Sequence, residues 1–276
     1  MRCTHNCGVP CGIILIMEAI GRLLNMGANP AAMNMAIDEA ILLAQKEQPN
    51  PTLRFYEWSS PAFSFGYFQD IDSEVDVEAC CADGIELVKR MTGGGTVVHG
   101  WELTYTLILP RTAAEMGISD AYQCIGQSLV KAFQKLGVPA RCYAACPDST
   151  QVAPNICLTN PAEHDVMSGD KKLAGVSVRR NRGGILFQGY ISLDIPPPFI
   201  LKRVSKNPEV QQSVREKSTA INVDGHLIAR DALIQAVCET FEIGIAFNAG
   251  ELSMMERAQA ETLSETKYAT AAWNLE

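Results

Sequence analysis

Three consecutive glycines interrupt a series of apolar, strand-like segments in the first half of the chain. They are Gly93, Gly94 and Gly95 in the segment VKRMTGGGTVVHG, which runs from Val88 to Gly100. A glycine inside a strand or helix costs roughly 0.5–1 kcal/mol relative to alanine, so the triplet needs a compensating use. Bare backbone lets a ligand lie against the chain and lets N–H groups point at a carbonyl or phosphate. The alternative is a tight hairpin turn.

The residues around the triplet exclude two common nucleotide sites. No Gly-Lys-Ser/Thr ending follows, as in a phosphate-binding P-loop, and no helix follows, as in a dinucleotide fingerprint. Arg90 precedes the triplet and His99 follows it. Arg90 is a candidate for binding a carboxylate or phosphate, with a salt bridge as the alternative. His99 is a candidate site residue, with a satisfied core histidine as the alternative.

The hydrophobic pattern predicts strands in runs, punctuated by helices. This pattern is typical of an α/β (α+β) domain in which helices pack on one mixed β-sheet. We expect that single domain over residues 20–276 and a disordered leader over residues 1–19. The predicted strands are Leu53–Trp58, Ala62–Tyr67, Ile85–Lys89, Thr96–His99, Leu103–Leu109, Ala140–Ala145, Lys172–Val178 and Gly184–Leu193, and the predicted helices are Met33–Lys46, Val75–Ala82, Ala121–Leu136, Arg230–Phe241 and Leu252–Ser264. In the first helix, Asp38 and Glu39 lie near the N-terminal end, where the helix dipole favours anions.

Charge and hydropathy exclude further classes of function. The net charge is −8, which disfavours non-specific nucleic-acid binding because that binding depends on neutralising phosphates. No apolar run approaches the ~18 residues of a membrane-spanning helix. One cluster is basic: Lys171, Lys172, Arg179, Arg180 and Arg182 follow one another without an acid between them. It is either a solvated strand edge or a docking patch for an acidic partner.

The ten cysteines do not predict a disulfide scaffold, because such domains are smaller and richer in cysteine. A reducing cytoplasm is the better expectation. Cys3, Cys7 and Cys11 recur every four residues but lack the C-x₂-C pairs of metal sites. Of the four histidines, no two have zinc-ligand spacing. We therefore expect no structural metal.

One cysteine precedes a lysine in a suggestive segment. In NICLTNPAEHDVMSGDKKLAGVSVRR, Cys157 is followed fifteen residues later by Lys172 on an apolar, strand-like run. Cys157 is either a small buried residue or a nucleophile, and Lys172 is either a surface lysine or its electrostatic partner. A nearby ammonium stabilises a thiolate and lowers the pKa of the thiol.

Five segments, in this order, resemble the lipoate–protein ligase and octanoyltransferase family, whose catalytic domain is shared with biotin ligases. They are MNMAIDEAIL, LRFYEWSSPAFSFGYFQ, KRMTGGGTVVHGWELTYTLILP, DKKLAGVSVRR and ETKYATAAWN. The resemblance covers about residues 20–276. It implies a cytoplasmic acyltransferase-type domain that attaches a C8 acyl chain to a lysine of a lipoyl-carrier protein.

The family contains two chemistries. Its ligases use ATP and Mg to form an acyl-adenylate, whereas its transferases take octanoate from a carrier thioester and need no cofactor. The position of Cys157 before the lysine-bearing strand is similar to that in the cysteine-dependent, Gram-positive type of octanoyltransferase. The resemblance thus implies Cys157 and Lys172 as catalytic residues, with an ATP-dependent ligase as the alternative.

The resemblance also implies partners and binding residues. The donor would be octanoyl-acyl carrier protein, and the acceptor would be a lipoyl carrier of the glycine-cleavage H type or the dehydrogenase E2 type. This sequence departs from the family at two positions: Gln188 replaces a histidine before Gly189, and Gly100 stands where an aspartate is common. The residues expected to bind the acyl group or substrate are Arg90, Gly93, Gly94, Gly95, His99 and Gly175.

Overall fold

The computed structural model describes residues 19–112, 117–144, 161–223, 225, 227–241 and 243–275. Strands and helices alternate along these residues. The strands are β1 (Ala19–Asn29), β2 (Thr52–Trp58), β3 (Ala62–Phe65), β4 (Glu86–Lys89), β5 (Val97–His99), β6 (Glu102–Pro110), β7 (Arg141–Cys142), β8 (Val166–Ser168), β9 (Lys171–Arg180), β10 (Gly184–Ser192) and β11 (Ile245–Ala249). The helices are α1 (Ala31–Ala44), α2 (Ile71–Glu74), α3 (Val77–Ala82), α4 (Ile118–Lys135), α5 (Pro198–Leu201), α6 (Pro208–Lys217), α7 (Arg230–Thr240), α8 (Met254–Leu263) and α9 (Ala271–Asn274), with a π-helical turn (Ser264–Tyr268) between α8 and α9.

The strands form a large mixed sheet and a small one. The large sheet has the order β11-β1-β2-β6-β10-β9-β8-β7, and β1 pairs in parallel with both of its neighbours. The other strands of that sheet pair antiparallel. The small sheet has the order β4-β3-β5. The predicted mixed sheet with packed helices is confirmed, and the structure adds the second sheet.

Helices cover both faces of the large sheet. Because side chains alternate along a strand, Leu107 and Phe187 enter the core beneath α4 and α7, whereas Ile108 and Leu186 enter the core beneath α1 and α8. This double burial explains why β10 is buried along its whole length. It also places Gln188 on the α1 face, two positions after Leu186.

The small sheet packs over the face of β10 that carries Tyr190, which shares a core cluster with Phe63 and Phe65. One of its two edge strands, β4, is hydrogen-bonded to the last helix, α9. The indole Nε1 of Trp273 donates to the carbonyl of Lys89 at 2.8 Å, and the Lys89 N–H donates to Asn274 Oδ1 at 2.8 Å.

Most predicted elements are found within a few residues of their expected bounds. The helix expected over Val75–Ala82 is α3, which begins two residues later at Val77, and a separate short helix, α2, ends at Glu74. Strand β9 continues to Arg180, two residues beyond the expected strand end at Val178. Strand β1 was not predicted. The predicted leader, except for Ala19, lies outside the described residues.

Candidate active site

A narrow cleft lies between the two sheets, with about 370 Å³ of empty space when its part open to solvent is counted, and most of its exposed lining is apolar. Its floor follows one row across the large sheet, in which Tyr56, Thr104, Tyr190 and Gly175 are successive strand partners. The row therefore runs from β2 to β9. The described side chains that cover or close the cleft come from α1, β2 and the small sheet: Met35, Trp58, Ser64, Arg90, Val97 and His99.

Lys172 is not among the described residues that line the cleft, but it lies against Gly175, which lines the β9 end. Its side chain is only 3% exposed, and its Nζ lies 2.6 Å from Asp165 Oδ2, whose side chain is equally buried. The ammonium is also 5.8 Å from the centre of the Tyr190 ring. A Cβ on Gly175 would lie 2.6 Å from Lys172 Cε and 2.7 Å from Nζ. Gly175 thus supplies the space that Lys172 occupies.

Asp165 is a site residue that the sequence analysis missed. Burial raises the pKa of its carboxyl above the usual value, and the Lys172 ammonium opposes that rise. The N–H of Ala162 donates to Asp165 Oδ2 at 2.6 Å, which opposes the rise as well. In the sequence, Asp165 could have been noticed as an acidic residue directly before the apolar pair Val166–Met167.

The proposed nucleophile, Cys157, lies outside the described residues, which resume at Pro161. Its position relative to Lys172 therefore stays a prediction. The described segment that follows it does reach the site, because Ala162 binds the carboxylate that binds Lys172.

The glycine loop is held by Arg90. One nitrogen of its guanidinium, Nη2, donates to the carbonyls of Gly93 and Gly95 at 3.2 and 3.0 Å. Gly94 has a φ of 94°, which only glycine adopts readily. A Cβ on Gly66 would lie 1.9 Å from the Gly94 carbonyl oxygen, so the two backbones touch.

This geometry gives the loop a use other than the expected one. The loop carbonyls turn toward Arg90, and the three glycines are not among the described residues that line the cleft. Arg90 does line the cleft, and its Nη1 donates to the Ser64 carbonyl at 2.6 Å and to Ser64 Oγ at 2.7 Å. Binding of a substrate anion by Arg90 stays a prediction.

His99 closes the end of the cleft opposite Lys172. Its ring stacks on Trp58 with centroids 3.8 Å apart. Its Nδ1 lies 2.6 Å from Glu102 Oε1, and its Nε2 lies 2.5 Å from Ser64 Oγ. His99 is thus a fully bonded core histidine that also lines the cleft. Its role in binding the substrate stays a prediction.

The titrations of His99 and Glu102 are coupled. Burial lowers the pKa of His99, although Glu102 opposes this. Burial alone would raise the pKa of Glu102, but His99, Thr104 and the Gly100 amide together lower it. His99 is therefore neutral and Glu102 ionised at neutral pH. The Gly100 N–H donates to Glu102 at 2.7 Å from a residue with a φ of 113°, a conformation that suits the glycine found there.

Gln188 connects the cleft floor to a buried ion pair. Its Nε2 donates to Asp38 Oδ2 at 2.8 Å, and Thr92 donates to its Oε1 at 2.8 Å. Asp38 pairs with Arg54 at 2.6 Å, and both side chains are almost fully buried. Asp38 is therefore held by Arg54 and Gln188, and not by the helix dipole that the sequence suggested. Gln188 forms a direct link between this pair and Thr92, the residue directly before the glycine triplet.

The basic cluster divides into buried and exposed members. Lys172 is buried in its ion pair and leaves the surface patch, whereas Arg180 and Arg182 are exposed. The guanidinium of Arg179 lies 5.2 Å from the centre of the Tyr67 ring. Phe68, beside it, is 87% exposed. The surface next to the glycine loop is therefore both cationic and aromatic.

The described residues were expected to contain neither a membrane-spanning helix nor a structural metal site. None of their helices is both long enough and apolar enough to cross a bilayer. None of their histidine, cysteine, aspartate and glutamate side chains form a group of three or more that could hold a metal ion.

Comparisons with known proteins identify the family. Residues 30–242 match the lipoyl protein ligase A/B catalytic domain. The octanoyltransferase LipM of Symbiobacterium thermophilum is 35% identical over 275 residues, covering 94% of this chain and 99% of that protein. The octanoyltransferase LipM of Bacillus subtilis is 32% identical over 272 residues, covering 92% and 97%.

Solved structures agree with this assignment. A chain from the bipartite lipoate protein ligase and E2 lipoyl domain system of Thermoplasma acidophilum has a TM-score of 0.76 at 25% identity, covering 93% of this chain and 96% of that one. A lipoate-protein ligase A bound with ATP has a TM-score of 0.75 at 27% identity, covering 93% and 98%. The family expected from the sequence is confirmed, and the curated relatives favour the transferase over the ATP-dependent ligase. The chain belongs to the lipoyl protein ligase A/B catalytic domain family, as one of its octanoyltransferases.

Proposed function

We propose that this enzyme moves an octanoyl group from octanoyl-acyl carrier protein to Cys157, and from Cys157 to a lysine of a lipoyl-carrier protein. The observation that carries this proposal is the apolar cleft with a buried, ion-paired lysine against Gly175, which lines one end of the cleft. The Thermoplasma system, in which a lipoate protein ligase is paired with an E2 lipoyl domain, supports a lipoyl-carrier acceptor.

The cleft has the dimensions of a medium-length acyl site. Its floor crosses four adjacent strands, and three strand spacings of about 4.8 Å give roughly 14 Å. An extended eight-carbon chain is roughly 9 Å long, because each carbon–carbon bond of about 1.5 Å advances it by about 1.25 Å. The acyl chain therefore fits along the row with its carbonyl near Lys172 and its methyl group toward Trp58.

The reaction has two acyl transfers. The thiolate of Cys157 attacks the carbonyl of the donor thioester, a new carbon–sulfur bond forms, and the carrier thiolate leaves with the proton that Cys157 lost. The neutral amine of the acceptor lysine then attacks the enzyme thioester, a carbon–nitrogen bond forms as the carbon–sulfur bond breaks, and the proton that the amine loses passes to the departing Cys157 thiolate. The first exchange replaces one thioester by another, so it requires no ATP. We propose no cofactor for this route.

Lys172 would stabilise the oxyanion of each tetrahedral intermediate. Its ammonium is fixed by Asp165 and by the space over Gly175, so it need not reorganise when the negative charge develops. In other acyl-transfer enzymes, a preorganised donor of this kind is worth about 3–4 kcal/mol. Cys157 precedes Ala162 by five positions, which is short enough for the chain to bring the sulfur to this end of the cleft.

The cationic, aromatic surface formed by Tyr67, Phe68, Arg179, Arg180 and Arg182 would meet the carriers. It adjoins the glycine loop, since Tyr67 N–H donates to the Thr92 carbonyl at 2.9 Å. Acyl-carrier and lipoyl-domain proteins are acidic as a class, so charge would steer their encounter.

Intact mass spectrometry after incubation with octanoyl-acyl carrier protein tests the route. The wild-type enzyme should gain the mass of one octanoyl group, and Cys157→Ala should gain none. Cys81→Ala is the matched control, because Cys81 is exposed and not disulfide-bonded, and it should acylate normally. An unmodified wild-type enzyme that acylates a lipoyl domain only with free octanoate and ATP would refute the route and support a ligase.

A further inference from the structure

We propose that Asp165 keeps Lys172 protonated and so prevents the enzyme from acylating its own lysine. The acceptor of the proposed reaction is also a lysine amine, so an active site that holds a second lysine beside an acyl group must suppress its reactivity. The consequence for catalysis rests on the proposed function, whereas the effect of Asp165 on Lys172 does not.

The pair is buried on both sides. Each side chain is 3% exposed, and Lys172 Nζ lies 2.6 Å from Asp165 Oδ2. Desolvation disfavours a charged amine, so a lysine buried without a partner loses its proton readily near neutral pH. A neutral amine is nucleophilic, whereas an ammonium is not. The carboxylate reverses the effect of burial by stabilising the ammonium.

Asp165 is the rigid member of the pair. Its Oδ2 accepts the Ala162 N–H at 2.6 Å, its N–H donates to the Ala162 carbonyl at 3.0 Å, and its carbonyl accepts the Tyr143 N–H at 2.7 Å. Lys172 has four side-chain bonds that can rotate, but Asp165 is fixed by backbone groups. The carboxylate therefore sets where the ammonium lies.

Two tyrosines from the large sheet face the pair, and neither replaces the carboxylate as a negative charge. Tyr190 of β10 presents its ring to the ammonium at 5.8 Å from the centroid. Tyr105 of β6 interacts with Asp165. Burial raises the pKa of its phenol, and the negative charge of Asp165 raises it further. Tyr105 thus stays neutral, and Asp165 supplies the counter-charge.

The suppressed reaction balances without another reagent. Nitrogen of a neutral Lys172 would attack the carbonyl of a bound acyl thioester, a carbon–nitrogen bond would form, and the carbon–sulfur bond would break. The amine proton would go to the departing thiolate. The product is an amide on Lys172, which no step of the transfer reaction reverses, so each such event would inactivate one molecule.

Competitive labelling with acetic anhydride, a small acylating probe, tests the effect of Asp165 independently of enzymatic activity. After digestion, mass spectrometry gives the acetylation of Lys172 relative to Lys171, an exposed neighbour in the same peptide. In Asp165→Asn, this ratio at pH 7.5 should rise at least about tenfold, the factor that one pKa unit produces. The matched control is Asp170→Asn, because the Asp170 side chain is fully exposed, and it should leave the ratio unchanged. An equal ratio in the wild type and in Asp165→Asn would overturn the proposal.

A second probe connects the effect to acyl transfer. Incubation of Asp165→Asn with octanoyl-N-acetylcysteamine, a small thioester, should place an octanoyl group on Lys172, whereas the wild type should carry none there. An Asp165→Asn enzyme whose labelling ratio rises but whose Lys172 stays free of octanoate would refute the protective role. If the wild type acquires no octanoyl group anywhere, the proposed function fails instead.

The wild type alone keeps the proposal falsifiable if Asp165→Asn does not fold. The rate of Lys172 acetylation, measured from pH 7 to pH 11, should reach half its maximum at a pH no lower than that of Lys171. Burial of Lys172 lowers its maximal acetylation rate but does not change the pH of this midpoint. The midpoint therefore reports the protonation of Lys172 and not its accessibility. A midpoint below that of Lys171 would overturn the proposal.

Discussion

Substitution of Gly175 by alanine tests whether the position of Lys172 matters for catalysis. The added Cβ would lie 2.6 Å from Lys172 Cε, 2.7 Å from Nζ and 3.1 Å from Asp165 Oδ1. Non-bonded carbon contacts settle at about 3.5–4.0 Å, so the end of the lysine side chain must retreat by about 1 Å. Because that end is flexible, the fold should survive, at a cost of about 1–3 kcal/mol in the free energy of unfolding.

The catalytic cost should be larger. A misplacement of about 1 Å can reduce a rate about 100-fold, so we expect kcat for octanoyl transfer to fall by about that factor. KM for the octanoyl carrier should change little, because the carrier would dock on a separate surface. The assay is transfer from octanoyl-acyl carrier protein to a purified lipoyl domain, followed by mass spectrometry, with urea denaturation as the measure of stability.

Gly27→Ala is the matched control, since nothing lies within 4 Å of a Cβ at that position. It should change neither kcat nor stability by a comparable amount. If Gly175→Ala keeps the wild-type kcat while Gly27→Ala behaves as expected, the position of the ammonium is not used in the reaction, and the reasoning is wrong.

Two further predictions concern pH and partner binding. Since burial lowers the pKa of folded His99, the unfolded state takes up a proton first as the pH falls below about 6.5. The free energy of unfolding should therefore decrease below that pH, and His99→Gln should flatten this decrease in urea denaturation; an unchanged slope would contradict the assignment. Reversing the charges of Arg179, Arg180 and Arg182 together should raise KM for the carrier several-fold and weaken its dependence on salt. Arg215→Glu, at an exposed site on α6, should not, and unchanged kinetics of the triple variant would show that the patch is only a solvated strand end.

The helices were predictable because they bury one face, and the central strands because they are short apolar runs. Helices α4, α7 and α8 carry their apolar residues at helical spacing, and strands β2, β6 and β10 are buried on both faces. Strand β1 was not predictable in this way. Its sequence AIGRLLNMGAN contains two glycines and no β-branched run, and it is a strand because β2 and β11 pair with both of its edges.

The residues around the cleft were predictable only in part. Arg90, His99 and Gly175 were expected to bind the substrate and all three line the cleft, whereas the three glycines do not. The sequence did not reveal that Arg90 binds the carbonyls of its own loop, or that Lys172 has a buried counter-ion. Both depend on tertiary contacts between segments that composition and periodicity do not relate.

The hydrogen bonds between α9 and Lys89 have a further consequence. Side chains of Trp273 and Asn274 bond the N–H and the carbonyl of Lys89, so an extra strand cannot pair with β4 at this residue. Lys89 also directly precedes Arg90, which lines the cleft. Loss of the contacts from α9 would therefore loosen the backbone beside a cleft residue, although α9 itself is not part of the cleft.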